Sequence, residues 1–386
     1  MRKVIIILLS LFILTGCYNY RELNEIAIVS AIGINKNGDD YEVIVQVVNT
    51  QKQGSDSNSS GDQPKFIIYK QKGKTIQEAL RYVILESPKR FYANHMTLLL
   101  ISDTIAKDGI QDILDYFARD SEVDKQFFVL ITKDDKIDNV ISTLTALETL
   151  NAKNIKDSLL TDQNYLSASK VINFEDLLAA YLNKRKDMTL PTVIIKGNEK
   201  KGDKEDNLKE SEPSTRIVLD DIAIFNENKM IGFLGSNDSI NTSILNGNVN
   251  NTIYTHKCDN DKYIVIEITK ASVETKANNL KIDINIKENA TISETSCNLN
   301  LKDEKEIEKI QSDIEKEMEK GIKKTLSKLQ DNDSDIIGYE DMLYKDNPKT
   351  YKKLKEKYGQ DLFKNIDFKV KVDLNLYAKG NILKEI

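Results

Sequence analysis

Tryptophan is absent from this chain of 386 residues, and histidine, cysteine and proline are scarce. The two histidines, His95 and His256, are too few for the usual histidine-based zinc sites, so we expect no metal. The chain also lacks a Gly-rich phosphate loop, a Gly-x-Ser-x-Gly elbow, a His-Glu-x-x-His pattern and a Cys-x-x-Cys pair. Because the common catalytic motifs are missing, we expect no enzymatic activity and no cofactor.

A basic surface is lacking as well. Acidic residues outnumber basic ones and give a formal net charge of −6, and no basic, aromatic-rich patch interrupts this balance. Nucleic acid is therefore not an expected partner. Beyond the N-terminal apolar run, no stretch approaches the roughly 18 apolar residues that indicate a transmembrane helix.

The most informative segment is the N-terminus. Arg2 and Lys3 precede an apolar run over 4–14, which is about half as long as the roughly 20 residues of a membrane-spanning helix. Leu14-Thr15-Gly16-Cys17 follows at once, and small residues before a cysteine are typical of a bacterial lipoprotein signal. We predict a signal peptide over 1–16, lipidation of Cys17, and an anchor and tether over 17–25. An ordinary signal peptide with a chance cysteine is the alternative.

A lipidated Cys17 would place the mature chain outside the cytoplasm on a bilayer surface, because two or more acyl chains give durable anchoring. Cys258 and Cys297 then remain. Disulfides form in exported proteins, so Cys258 and Cys297 could pair. Two cysteines so far apart do not form the regular pattern of a disulfide-stabilised domain, however, and the sequence leaves their pairing open.

In the first half of the chain, strand and helix patterns alternate. An apolar run, an Asn37-Gly38 turn and an alternating run predict a hairpin over 26–49. A capping box at Thr75 and Glu78 begins a helix that Pro88 stops. Further strands are predicted over 96–101 and 127–132, and helices over 103–116, 137–150 and 173–185. These patterns predict an α/β domain over 26–195.

Residues 196–215 contain one large apolar residue and many charges, so we predict a charged linker there. Strand patterns after it suggest a small middle β region over 216–260, in which the Asn- and Ser-rich segment 236–252 is hard to assign. An apolar stripe from Ile307 to Leu329 predicts one long helix, and alternation over 366–376 predicts the last strand.

A long helix packed on an antiparallel sheet makes the C-terminal region, 261–386, an α+β domain. For the whole chain we expect a multi-domain α+β protein, with mixed or antiparallel sheets packed against helices.

Three blocks of sequence stand out along the chain. They are Cys17-Tyr18-Asn19-Tyr20-Arg21-Glu22-Leu23, then Gly73-x-Thr75-x-x-Glu78-Ala79-x-Arg81 with Pro88-Lys89-Arg90-Phe91 and His95, then Asp335-Ile336-Ile337-Gly338-Tyr339 with Asn347-Pro348-Lys349-Thr350-Tyr351. Together they resemble one family, the Ger(x)C spore germination lipoproteins, which are the C subunits of nutrient germinant receptors. The blocks occur in family order along nearly the whole mature chain. The family usually has Trp after the cysteine, where this chain has Tyr18.

The resemblance implies three α+β domains without enzymatic activity, on the outer face of the spore inner membrane. It also implies two integral-membrane partners, the receptor A and B subunits, in addition to membrane lipid at Cys17. From it we predict a non-catalytic, lipid-anchored receptor subunit that acts through protein contacts.

Two groups of residues are candidates for contacts. Arg21, Glu22 and Leu23 follow the lipidated cysteine and are candidates for touching the membrane or a partner, or they serve only solubility. A second candidate surface patch consists of Arg81, Pro88, Arg90 and His95. The alternative is a structural role, in which these residues only stabilise a corner between a helix and a strand. Two other functions stay open, a lipid-anchored solute-binding protein of a transporter and an anchored cell-wall hydrolase.

Overall fold

A computed structural model describes residues 23–50, 64–259, 261–301 and 303–378. The predicted signal peptide, Cys17, Arg21 and Glu22 lie outside these residues. Within the described ranges, no helix combines the length and apolar character that crossing a membrane would need.

The described residues form two sheets with helices packed on them. The strands are β1 Ile26–Asn37, β2 Asp40–Val48, β3 Phe66–Gly73, β4 Arg90–Tyr92, β5 Leu98–Ser102, β6 Phe128–Thr132, β7 Thr189–Gly197, β8 Thr215–Asn226, β9 Lys229–Leu234, β10 Thr252–Asp259, β11 Lys262–Asn278, β12 Lys281–Thr295 and β13 Asp367–Ala378. The α-helices are α1 Ile76–Tyr82, α2 Asp103–Asp108, α3 Gln111–Arg119, α4 Ile137–Ser142, α5 Asn151–Tyr165, α6 Phe174–Leu182, α7 Asp206–Lys209, α8 Ser236–Leu245, α9 Glu304–Asp331, α10 Tyr339–Asp346 and α11 Pro348–Tyr358.

The N-terminal sheet has the order β3-β2-β1-β5-β6-β7-β8-β9, with β4 paired to β1. The hairpin prediction is confirmed, because β1 and β2 pair antiparallel with Gly33 opposite Ile44. The neighbours β1, β5, β6 and β7 pair in parallel. Ile32 packs in the core under α1, α2, α3 and α6, whereas Ala31 packs in the core under α4 and α5. The central strands are apolar throughout because helices cover both faces of the sheet.

The segment predicted as a charged linker, 196–215, connects two neighbouring strands of this sheet. β7 and β8 pair antiparallel from Thr189 to Ile224, so the sheet continues across the expected boundary. Asn207 is buried there, and its amide donates to the carbonyls of Leu144 and Thr215 and accepts from the Thr215 N–H. This satisfied polar side chain, with backbone bonds such as that from the Leu144 N–H to the Gly202 carbonyl, helps to order a segment that has little apolar surface to bury.

The predicted middle β region, 216–260, is divided between the two sheets. β8 and β9 complete the N-terminal sheet, whereas β10 belongs to the C-terminal sheet. The division of the chain into separate domains over 26–195, 216–260 and 261–386 stays a prediction.

The C-terminal sheet has the order β10-β11-β12-β13, and α9 packs on it. The predicted long helix is confirmed, with Ile314, Ile322 and Leu326 buried on one face. β12 runs without a break from Lys281 to Thr295 and forms one of the two central strands of this sheet. β12 and β13 pair in parallel, so this sheet is mixed rather than wholly antiparallel. The α+β class is confirmed.

Several helices differ from the sequence predictions. The helix predicted over 103–116 is broken by Gly109, whose φ of +132° favours glycine. The helix predicted over 137–150 ends at Ser142, and α5 was not predicted. The Asn- and Ser-rich segment 236–252 contains α8, in which Ile244 and Leu245 are buried. Burial of these two side chains outweighs the weak helix propensity of Asn and Ser.

Cys258 and Cys297 form a disulfide, which resolves the pairing that the sequence leaves open. Cys258 lies at the end of β10 and Cys297 lies just after β12, with their Cα atoms 6.3 Å apart. The bond therefore joins the edge strand of the C-terminal sheet to the segment that leads into α9.

Candidate functional site

Two of the four predicted patch residues line one groove in the N-terminal part of the molecule. Arg81 lies near the end of α1 and Arg90 begins β4, and both side chains border a cavity of about 700 Å³ between α1 and α3, which we call the helix groove. Pro88 and His95 are exposed nearby but do not line it. Leu23 lies in a single 3-10 turn, Leu23–Glu25, that leads into β1.

The first helix is fixed against the sheet by residues of the Gly73–Arg81 motif. A Cβ atom on Gly73 would lie 2.5 Å from the backbone nitrogen of Ala79, so only glycine lets α1 approach β3 this closely. The Thr75 hydroxyl accepts from the Glu78 N–H, as the capping box predicts, and the Glu78 carboxylate accepts from the Lys74 N–H. This packing sets the position of Arg81 at the rim of the helix groove.

Charges at the rim of the helix groove are mostly paired. Arg90 donates to both carboxylate oxygens of Glu122 at 2.6 and 2.7 Å, and Arg119 pairs with Asp115. Among the described residues, Arg81 makes no ion pair. Its guanidinium is exposed beside the apolar floor of the groove, which Asp112 and Asp120 also border.

The third motif joins the two sheets. The buried Asp335 accepts from the N–H groups of Gly338 and Glu340, both at 2.8 Å, and thereby holds the start of α10. Gly338 has a φ of +90°, which a side chain would strain. The Tyr339 ring is buried and packs on Phe368 of β13, with ring centroids 4.8 Å apart.

Asp187, just before β7, contacts this motif from the N-terminal side. Its carboxylate accepts from the N–H of Asp335 at 2.8 Å and from the N–H of Glu227 at 3.1 Å. Burial raises the pKa of Asp187 to about 6 and the pKa of Asp335 to about 7. A further ion pair, Arg185 to Asp341 at 3.0 Å, lies alongside. We call Asp187, Asp335, Arg185 and Asp341 the intersheet clamp.

Replacing Asp335 by alanine is expected to lower the free energy of unfolding by about 3 kcal/mol, because the Glu340 N–H loses its acceptor and the Gly338 N–H keeps only the Asp335 backbone carbonyl at 3.2 Å. Urea denaturation at pH 7 measures this loss. The matched control is Asp331→Ala at the exposed end of α9, for which we expect a change below about 0.5 kcal/mol. An equal, small effect of both substitutions would contradict the role of the clamp.

A second cavity, of about 1000 Å³, lies beside the clamp between α6 and α10. Its lining includes Lys170, a residue that the sequence did not single out. No sequence signal marks this place, because its walls come from segments about 170 positions apart that only the fold brings together. Within the described ranges, no cluster of His, Cys, Asp or Glu has the arrangement of a metal site.

Comparison with known proteins gives the family. The model described as "Spore germination protein N-terminal domain" matches residues 19–195, and the model described as "Spore germination B3/GerAC like, C-terminal" matches residues 220–380. The chain belongs to the Ger(x)C spore germination family. The gap between the two matched ranges falls on the β7–β8 connection and the first part of β8.

Relatives of this Ger(x)C chain match over nearly its full length. It is 25% identical to spore germination protein KC of Bacillus subtilis, over 97% of this chain and 95% of that protein. It is 22% identical to spore germination protein GerQC of Bacillus cereus, over 98% of this chain and 99% of that protein. The crystal structure of the GerBC protein matches with a TM-score of 0.51 at 17% identity, over 89% of this chain and 96% of that one, so the fold is shared.

Proposed function

We propose that this protein is a non-catalytic, lipid-anchored subunit of a spore germinant receptor. Family membership carries the proposal, since relatives over the full length are named as spore germination proteins. In this proposal the protein lies on the outer face of the spore inner membrane and acts through contacts with integral-membrane A and B subunits. A solute-binding protein of a transporter is not favoured, because none of these relatives bears such a name.

The chain geometry supports a membrane-proximal role for the helix groove. Ile26, the first residue of β1, pairs with Arg90 of β4, so the polypeptide enters the fold beside the groove. Cys17 precedes Ile26 by nine positions (26 − 17), and an extended chain spans at most about 3.5 Å per residue. A lipidated Cys17 therefore keeps the start of β1 within about 30 Å of the bilayer.

An anchor also makes modest contacts sufficient. Two proteins confined to one membrane meet at a high effective concentration, so a small interface gives a stable complex. The groove offers such an interface through the apolar side chains of its floor and the unpaired charge of Arg81. We include Arg21, Glu22 and Leu23 as contacts at the lipid headgroups or a partner, and Pro88, Arg90 and His95 as neighbours on the same edge.

Germination of spores that carry Arg81→Glu tests this function and its surface together. The charge reversal is expected to slow the nutrient response at least tenfold, because it removes the free cation of the groove. Lys309→Glu on the exposed face of α9 makes the same charge change and is expected to leave the response within twofold. A deletion strain that responds normally to every nutrient would contradict the function. A normal response of Arg81→Glu alone would contradict the surface.

A further inference from the structure

The cavity beside the intersheet clamp has the form of a ligand site. It measures about 1000 Å³, within the range of small-molecule pockets, and it opens between α6, α10 and the segment after α8. Polar and charged side chains make up about half of its lining, and apolar side chains form most of the rest. Those that matter here are Lys170, Lys186, Asn246, Asn248, Ile336 and Met342.

Lys170 is the unusual member of this lining. The residue is only 9% exposed, yet its ammonium has one hydrogen bond, to the Ser243 hydroxyl at 2.9 Å. That hydroxyl in turn donates to the Ser167 carbonyl at 2.9 Å. Among the described residues, no carboxylate oxygen lies within 4 Å of the Lys170 ammonium. A buried ammonium without a counterion is costly, so proteins normally pair it.

The acids around the cavity are already engaged by the protein. Asp187 accepts from two backbone N–H groups, and Asp341 pairs with Arg185 and Lys345. The Asp162 carboxylate, which lies near Lys170, accepts from the Ser169 N–H at 2.6 Å. The remaining acids of the lining, Asp176 and Asp346, are exposed at the surface.

Two lysines of the lining, Lys170 and Lys186, have no ion pair in the described part of the chain. The lining as a whole is not basic, because Asp176 and Asp346 also border the cavity without a cation partner among the described residues. Burial lowers the pKa of Lys170 to about 7, and repulsion from Lys186 acts in the same direction. An anion placed between the two ammonium groups would relieve both effects, since an opposite charge favours the protonated form of lysine.

We propose that this cavity binds a small solute that carries an oxyanion, a carboxylate or a phosphate, held by Lys170 and Lys186. The amides of Asn246 and Asn248 supply further hydrogen-bond donors, and Ile336 and Met342 offer apolar contact to the rest of the solute. Because the walls belong to both halves of the chain, the bound solute stabilises their docked arrangement. The site is independent of receptor assembly and would give this subunit its own ligand.

Calorimetric titration of the mature full-length chain in detergent micelles tests the proposal. Sodium butyrate and sodium phosphate are the two probes, each at constant ionic strength and pH 7. We expect saturable binding of at least one probe, and the probe that binds distinguishes a carboxylate ligand from a phosphate ligand. Lys170→Met is expected to weaken that binding at least tenfold, and Lys186→Met several-fold.

The control is Lys345→Met at the exposed rim, whose ammonium already pairs with Asp341, and it is expected to change affinity less than twofold. Thermal unfolding checks that each variant folds. The bound probe is also expected to raise the melting temperature of the wild type and not that of Lys170→Met. Absence of binding by both probes, or undiminished binding to Lys170→Met, would overturn the proposal.

Discussion

Unfolding of the oxidised protein is expected to require about 4 kcal/mol more free energy than unfolding of a Cys297→Ser variant. The Cys258–Cys297 disulfide closes a loop with a sequence separation of 39 residues, and a loop of this length restricts the unfolded chain by about that amount. Urea denaturation of the two proteins, followed by far-UV circular dichroism, measures the difference.

The same experiment contains its own control. Dithiothreitol should lower the stability of the wild type to that of Cys297→Ser and leave the variant unchanged, because the variant has no disulfide to reduce. The loss should act on the C-terminal sheet, where the bond ties the end of β10 to the segment before α9. Equal stability of wild type and variant without reductant would contradict the pairing.

The second large effect concerns pH and a buried acid. Glu288 of β12 is 2% exposed and faces the core, and neither of its carboxyl oxygens has a hydrogen-bond partner among the described residues. Burial raises its pKa from 4.5 to about 8. Folding therefore favours the protonated, neutral form of Glu288. Its contribution to the free energy of unfolding is fully present below pH 4.5 and is lost as the pH rises to about 8.

Replacing Glu288 by glutamine should remove this part of the pH dependence. In the declining range each pH unit costs up to about 1.4 kcal/mol, so Glu288→Gln should exceed the wild type by several kcal/mol at pH 8 and match it near pH 4.5. Asp187 and Asp335 also have raised pKa values and contribute to the wild-type slope, so the comparison between variants isolates Glu288.

Glu294→Gln, on the same strand but exposed, serves as the matched control. It should leave the dependence of stability on pH unchanged. Parallel pH profiles for wild type and Glu288→Gln would show that the Glu288 carboxyl is not held neutral in the folded protein.

The sequence predicts those helices and strands that bury one face only, or whose ends carry a turn or a capping residue. The hairpin of β1 and β2, the cap at Thr75 and the buried stripe of α9 belong to this group. β13 belongs there as well, because Val370, Val372 and Leu374 alternate with exposed neighbours. In each case the period of the side chains itself determines which face is buried.

The sequence is least informative where long-range contacts override composition. α8 is rich in Asn and Ser, but it is held by the burial of Ile244 and Leu245. The 196–215 segment has the composition of a linker, whereas hydrogen bonds of the buried Asn207 help to order it. The parallel pairing of β12 with β13 depends on the path of the chain through α9 to α11, which no local pattern encodes.

The candidate surface was only partly accessible to sequence reasoning. The two motifs that contain Gly73 and Gly338 come from the family resemblance. The structure supplies the physical reason for each glycine, a close backbone approach at Gly73 and a positive φ at Gly338. Arg81 and Arg90 border the same helix groove, whereas Pro88 and His95 do not line it, and the patch stays a prediction as a contact surface. Lys170 has no sequence signal, because it stands out only through its burial and through the lack of a carboxylate within 4 Å of its ammonium among the described residues.

Affinity purification of the tagged protein from detergent-solubilised spore inner membranes tests the central claim most directly. Mass spectrometry of the eluate is expected to find polytopic A-type and B-type receptor subunits, and a Cys17→Ala variant should lose them because it lacks the anchor. Recovery of the protein alone, or together with the ATPase of a transporter, would contradict its assignment as a germinant receptor subunit.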